Sequence, residues 1–280
     1  MTSTYQDKGH GPIGVFDSGY GGLTILQQIR TQMPSYDYLY LGDNARAPYG
    51  PLSFDLVYEN TWQCVQALFE RGCHLVILAC NTASAKALRT IQQNDLPQLD
   101  PNRRVLGVIR PTVEMIGTLT ESRHIGVLAT QGTILSKSYE LEIKKLFPDI
   151  KVEGEACPMW VPIVENKEFN SPGTDYFIKE RIDDILYRDP QIDTLILGCT
   201  HYPLLFNKIR QNTPPHIKLV PQGHYVASSL QTYMQRHPEL AQKCTKNGIT
   251  KFLTTESANN FCESASLFLG EAIEAQRIVL

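Results

Sequence analysis

A chain of 280 residues is long for one domain and suits two of ordinary size, since domains run to roughly 150 residues. Apolar residues make up 42% and the formal net charge is −3, from 26 basic and 29 acidic side chains. There is material for a core in each half, and the balance argues against a nucleic-acid binder, which would carry a basic stripe. The opening stretch Met1–His10 is polar and lacks the apolar segment of a signal peptide. No apolar run reaches the ~18 residues a membrane helix needs. A cytoplasmic globular protein with no membrane partner is expected.

In chain order, Ile13–Phe16 and Tyr38–Leu41 read as strands and Leu56–Phe69 as a helix. Strands follow at Leu75–Leu78, Val105–Ile109 and Ile125–Leu128, then helical spacing at Ser136–Phe147 and Phe177–Tyr187. Thr194–Leu197 and Ile217–Val220 are strands, Val226–Gln235 a helix, and Lys251–Leu253 a last strand. Several strands are apolar throughout, as strands buried on both faces are. The alternation predicts parallel sheets flanked by helices. Breaks fall at Asn94–Arg104, with Pro97 and Pro101, and at Asn212–His216, with Pro214 and Pro215.

A weak duplication runs through this pattern. Ile13-Gly14-Val15-Phe16-Asp17-Ser18 is followed by Ile77-Leu78-Ala79-Cys80-Asn81-Thr82. At a comparable separation, Ile125-Gly126-Val127-Leu128-Ala129-Thr130 is followed by Ile196-Leu197-Gly198-Cys199-Thr200-His201. Two similar α/β domains are expected, each presenting a cysteine where a strand hands over to a helix. Ligands of open α/β sheets bind at the carboxyl ends of strands, and a helix starting after each cysteine would favour its thiolate.

The seven cysteines are odd in number, form no C-x-x-C and have no zinc-ligand spacing, so no metal site is expected. Cys64, Cys73, Cys157, Cys244 and Cys262 lack a comparable setting and read as structural. The glycine-rich Asp17–Leu23 turn is no phosphate loop, having neither G-x-G-x-x-G nor Gly-Lys-Ser/Thr. Its glycines suit close backbone approach to a small anion, with a helix starting near Gly22. There Ser18 can donate to a carboxylate and Asp17 can accept from an ammonium group or a thiol. His201, beside Cys199, is a candidate acid or thiol activator.

Val15–Leu23 (VFDSGYGGL), Tyr40–Gly50 (YLGDNARAPYG), Ala79–Ser84 (ACNTAS) and Leu197–Leu205 (LGCTHYPLL) resemble, in order, the signature segments of the glutamate racemases in the aspartate/glutamate racemase family. Gly107–Pro111, Gly126–Thr133 and Cys157–Glu165 extend the resemblance over nearly the whole chain from Ile13. It implies two similar α/β domains, 1–106 with 221–280 and 107–220, and a site in the cleft between them. It implies Cys80 and Cys199 as acid/base catalysts, Cys80 facing D-glutamate and Cys199 facing L-glutamate, assisted by Asp17, Glu165 and His201. Asp17, Ser18, Tyr49, Gly50, Asn81, Thr82, Thr130, Thr133, Thr200 and His201 fall on its substrate-contact positions. The chain departs from the family at Pro221-Gln222-Gly223, where Asp-Ser is usual, and at Asn44 and Ala47, where Thr and Phe are commoner.

The implied activity is cofactor-independent interconversion of L- and D-glutamate, supplying D-glutamate for peptidoglycan synthesis. Inverting a carbon acid needs proton removal on one face and return on the other, which two opposed thiols satisfy, one as thiolate and one as thiol. Glutamate is the expected partner, a homodimer is compatible, and no nucleic acid is required. Alternatives are a racemase acting on aspartate, a superfamily decarboxylase, which would need one cysteine, and a two-lobed amino-acid-binding protein that does no chemistry.

Overall fold

The computed structural model describes residues 9–280; most of the Met1–His10 stretch lies outside the described residues. Ten strands are described: β1 (Ile13–Asp17), β2 (Tyr38–Gly42), β3 (Leu75–Leu78), β4 (Arg104–Gly107), β5 (His124–Ala129), β6 (Lys151–Ala156), β7 (Thr194–Gly198), β8 (Lys218–Pro221), β9 (Thr250–Thr254) and β10 (Ala275–Arg277). They form one sheet in the order β10-β9-β2-β1-β3-β4 and another in the order β6-β5-β7-β8. Every neighbouring pair is parallel. The runs β2-β1-β3-β4 and β6-β5-β7-β8 have the same internal order, so the duplication seen in the sequence is a duplication of topology.

Burial on both faces explains why the central strands read as apolar throughout. Ile13 and Val15 pack with Leu23, Leu26 and Ile29 of helix Leu23–Gln32 and with Val226 and Leu230 of helix Gly223–Arg236. On the other face, Phe16 packs with Val57, Val65 and Leu68 of helix Phe54–Glu70. In the second sheet, Ile125 and Val127 meet Ile109, Val113 and Ile116, while Leu195 and Leu197 meet Ile178, Ile182 and Ile185. Each such buried aliphatic side chain contributes about 2 kcal/mol.

The structure differs from the sequence reading at several elements. The strand expected at Val105–Ile109 stops at Gly107, because Val108 already has helical dihedrals and helix Ile109–Leu119 follows. Strands β6 and β10 were not expected; both are sheet edges with polar, partly exposed residues, so neither carries an apolar run. The break at Asn94–Arg104 contains a short helix, Leu96–Leu99, with Pro97 in its first turn.

Because the strands are parallel, all carboxyl ends of a sheet lie along one edge. In each sheet the chain runs outward to one side and then crosses to the other, between β1 and β3 and between β5 and β7. Such switch points open a crevice at the carboxyl ends. Among the described residues no helix is long and apolar enough to cross a membrane.

Candidate active site

Both switch points carry the polar residues singled out in the sequence. Asp17 ends β1, and Ser18 follows; Cys80, Asn81 and Thr82 follow β3. Thr130 follows β5, and Cys199, Thr200 and His201 follow β7. The two sets face one another across a cavity of about 200 Å³ lined by Ser18, Tyr49, Gly50, Cys80, Asn81, Thr82, Thr130, Glu165, Cys199, Thr200 and His201. That is below the ~300 Å³ where drug-sized pockets begin, a size for a single small metabolite.

Cys80 is the N-cap of helix Asn81–Lys86: its sulfur accepts from the Ala83 N–H at 3.5 Å and lies 3.4 Å from Ser18 Oγ. Burial, then the neighbouring Asp17 carboxylate, push the Cys80 thiol up to about 12, against the help of Ser18 and Ala83. Its surroundings thus favour the protonated thiol.

Cys199 is set up differently. The expected helix start is absent there; a turn at Thr200-His201 leads into one 3₁₀ segment, Tyr202–Leu205, before helix Phe206–Asn212 begins. Its neighbour is a side chain instead: Cys199 Sγ lies 3.9 Å from His201 Nδ1, and His201 Nε2 lies 3.1 Å from Glu165 Oε1. Burial alone would lower the imidazole, but Cys199 and Glu165 outweigh it and raise His201 to about 10. A carboxylate, an imidazole and a thiol thus stand in line.

Asp17 and Thr133 lie one layer behind the lining. Asp17 is fully buried, accepts from the Gly19 N–H at 2.9 Å, and receives the Thr200 hydroxyl at 3.5 Å. Burial pushes its carboxyl up, although His201 and the Gly19 and Gly22 N–H groups oppose this. Thr133 lies 3.1 Å from Thr130 and 3.5 Å from Thr82, and Thr82 and Thr130 are 2.9 Å apart, so three hydroxyls join the two sheets at the cavity. Tyr49, which lines the cavity, donates its hydroxyl to Asp43, which Arg46 also holds at 2.6 Å.

In the Asp17–Leu23 turn, Gly21 packs tightly against the β7 loop. A Cβ on Gly21 would stand 2.3 Å from Thr200 Oγ1 and 2.5 Å from His201 Nδ1, so Gly21 lets the β1 loop close against the β7 loop. Gly132 has the same role at the other rim: its N–H donates to the Gly50 carbonyl at 3.0 Å, and a Cβ there would lie 2.6 Å from that oxygen. Lining residues missed in the sequence are Cys157, Pro158, Val161, Pro162, Ala47, Pro48, Pro51 and Gln131. Cys157 sits just past the carboxyl end of β6, and recognising that strand would have put it at the site. Burial keeps its thiol protonated.

A family model described as Asp/Glu/Hydantoin racemase matches residues 23–223. The chain belongs to the Asp/Glu/hydantoin racemase family. Among curated relatives of this racemase-family chain, a glutamate racemase of Ruegeria sp. (strain TM1040) is 36% identical over 274 residues, spanning 93% of this chain and 97% of the relative. One from Streptococcus gordonii is 36% identical over 273 residues, spanning 96% and 98%. A solved glutamate racemase isoform from Bacillus anthracis superposes with a TM-score of 0.88 at 34% identity, covering 97% of this chain and 98% of that one. The glutamate racemase of Francisella tularensis, solved in complex with D-glutamate, gives 0.85 at 30% with the same coverage. The expected fold class, two similar α/β units with parallel sheets flanked by helices, is therefore the family's.

Proposed function

We propose that this chain interconverts L- and D-glutamate by two-base proton transfer between Cys80 and Cys199. The observation that carries the reading is the pair of thiols at equivalent strand ends, β3 and β7, lining one amino-acid-sized cavity. The names of the relatives and the D-glutamate complex of the Francisella neighbour support glutamate as the substrate.

Starting from L-glutamate, the Cys199 thiolate, paired with the His201 imidazolium, removes the α-proton. The Cys80 thiol, held protonated by burial and the nearby Asp17, delivers its proton to the opposite face and becomes the thiolate. The product is D-glutamate, and the return reaction runs the same steps backward. Hydroxyl and amide donors from Ser18, Asn81, Thr82, Thr130 and Thr200 hold the carboxylates and the charge that builds on the α-carboxylate. Asp17, hydrogen-bonded by Thr200 behind the lining, helps hold the β7 loop. Glu165 orients and charges His201.

In this reading, domains 1–106 with 221–280 and 107–220 close on the substrate, the rim contacts Gly50–Gly132 and Thr82–Thr130 acting as latches. D-Glutamate would be supplied to peptidoglycan synthesis in the cytoplasm. A chiral assay of L- and D-glutamate and of both aspartates, without added cofactor, tests the proposal. Glutamate racemised far faster than aspartate is the expected result, because donors fixed for two carboxylates are left unpaired by a shorter chain. Comparable rates on both acids would move the assignment to a broader racemase, and binding without turnover would leave a binding protein.

A further inference from the structure

The Pro221-Gln222-Gly223 departure falls beneath the cavity floor. Gln222 is 2% exposed, and both ends of its carboxamide are engaged. Its Nε2 donates to Tyr139 Oη at 2.6 Å, Thr112 Oγ1 at 3.1 Å and the Val108 carbonyl at 3.3 Å. Its Oε1 accepts from Asn81 Nδ2 at 2.7 Å. Tyr139 in turn donates to Asn81 Oδ1 at 2.7 Å. The three side chains close a ring in which Asn81 donates to Gln222, Gln222 to Tyr139 and Tyr139 to Asn81. The ring ties together the turn after β3, helix Ser138–Leu146 and the turn after β8.

The two ends of a carboxamide have nearly the same shape, so only hydrogen-bond partners decide which way it faces. Here the deciding partner is the Val108 carbonyl, which can only accept. It fixes Gln222 Nε2 on its own side and so turns Oε1 toward Asn81. Asn81 must then present Nδ2 to Gln222 and Oδ1 to Tyr139. Burial pushes the Tyr139 hydroxyl up, so it stays a donor. Bonds running in one direction around a buried ring reinforce one another.

We infer that Gln222 and Tyr139 are positioning residues that fix the facing of the Asn81 carboxamide, so that Asn81 offers the cavity an N–H donor for a substrate carboxylate. The inference rests on the proposed reading that the cavity takes an amino acid with two carboxylates. With the ring broken, Asn81 is free to flip and set its carbonyl against that carboxylate.

The test compares glutamate KM, kcat and melting temperature for the wild type, Gln222→Met, Tyr139→Phe, Asn81→Ala and the Gln222→Met/Asn81→Ala double variant. Gln222→Met and Asn81→Ala should each raise KM about tenfold, the scale of a lost hydrogen bond to a charged group. The double variant should have the KM of Asn81→Ala alone, since Gln222 acts through Asn81. Tyr139→Phe, which removes one oxygen, should raise KM in the same direction by less and keeps the test open if Gln222→Met folds poorly. KM effects that multiply in the double variant, or a fall in kcat or melting temperature with KM unchanged, would overturn the inference alone. A wild-type protein that does not racemise glutamate would overturn the functional reading beneath it.

Discussion

Glu165→Gln isolates the line of groups behind Cys199. The substitution keeps the shape of the side chain and removes the charge 3.1 Å from His201 Nε2. A hydrogen bond between charged groups is worth about 1.5–3 kcal/mol. Glu165 is 27% exposed at its side chain, so solvent screening puts the loss at the lower end, about 1.5–2 kcal/mol. Converted at about 1.4 kcal/mol per tenfold, kcat/KM should fall about 10–30-fold. It must fall equally for both enantiomers, because an equilibrium constant of one ties the two values together; polarimetric progress curves from each enantiomer read this directly. A second readout comes from stability. His201 holds its proton to about 10 in the fold against ~6.5 unfolded. Its ion pair therefore stabilises fully below pH ~6.5, and the contribution is lost as pH rises through about 10. Glu165→Gln should lower the melting temperature at pH 6 and have little effect at pH 10. A kcat/KM within twofold of wild type, with His201 still intact, would refute the relay.

Three further outcomes test other parts of the account. With the Cys80 thiol pushed up to about 12, its alkylation by iodoacetamide should climb about tenfold per pH unit from pH 7.5 to 9.5; peptide mass spectrometry showing a plateau below pH 9 would contradict this. Gly21→Ala drives a methyl to within 2.5 Å of His201 Nδ1 and should cost about 100-fold in kcat/KM, whereas near-wild-type kinetics would show that the loops yield freely. Asp193, held by the Ser122 and Glu121 N–H groups and the Thr120 and Thr194 hydroxyls, sits at about 2 although burial opposes it. Its contribution is full above pH ~4 and lost as pH falls toward about 2, so Asp193→Ala should destabilise by about 1–2 kcal/mol at pH 7 and by much less at pH 2.5 in urea melts; an equal loss at both would refute the assignment.

The sequence made the central strands and the cysteine pair legible because they are buried on both faces and repeat in order. Polar edges were the blind spot: β6, with Lys151, Glu153 and Glu155, gives no apolar run, and missing it hid Cys157 at the cavity. The asymmetry between the thiols was also hidden. Both cysteines follow a strand, yet only Cys80 caps a helix, while Cys199 lies beside His201, whose partner Glu165 is 36 residues from that histidine in sequence. Gln222 read as a mere departure at a strand end; its burial and its ring with Asn81 and Tyr139 are long-range facts that no local pattern encodes.

The most direct test of the central claim uses a glutamate analogue with a leaving group on the β-carbon. Removal of its α-proton expels that group with the electron pair of the C–H bond, so a single competent base is enough. A serine in place of either cysteine keeps the size but loses most of the basicity, leaving the opposite thiolate usable. Cys199→Ser should eliminate from the D-analogue and not from the L-analogue, and Cys80→Ser should do the reverse. If both variants process the same enantiomer equally well, the opposed two-base account is wrong.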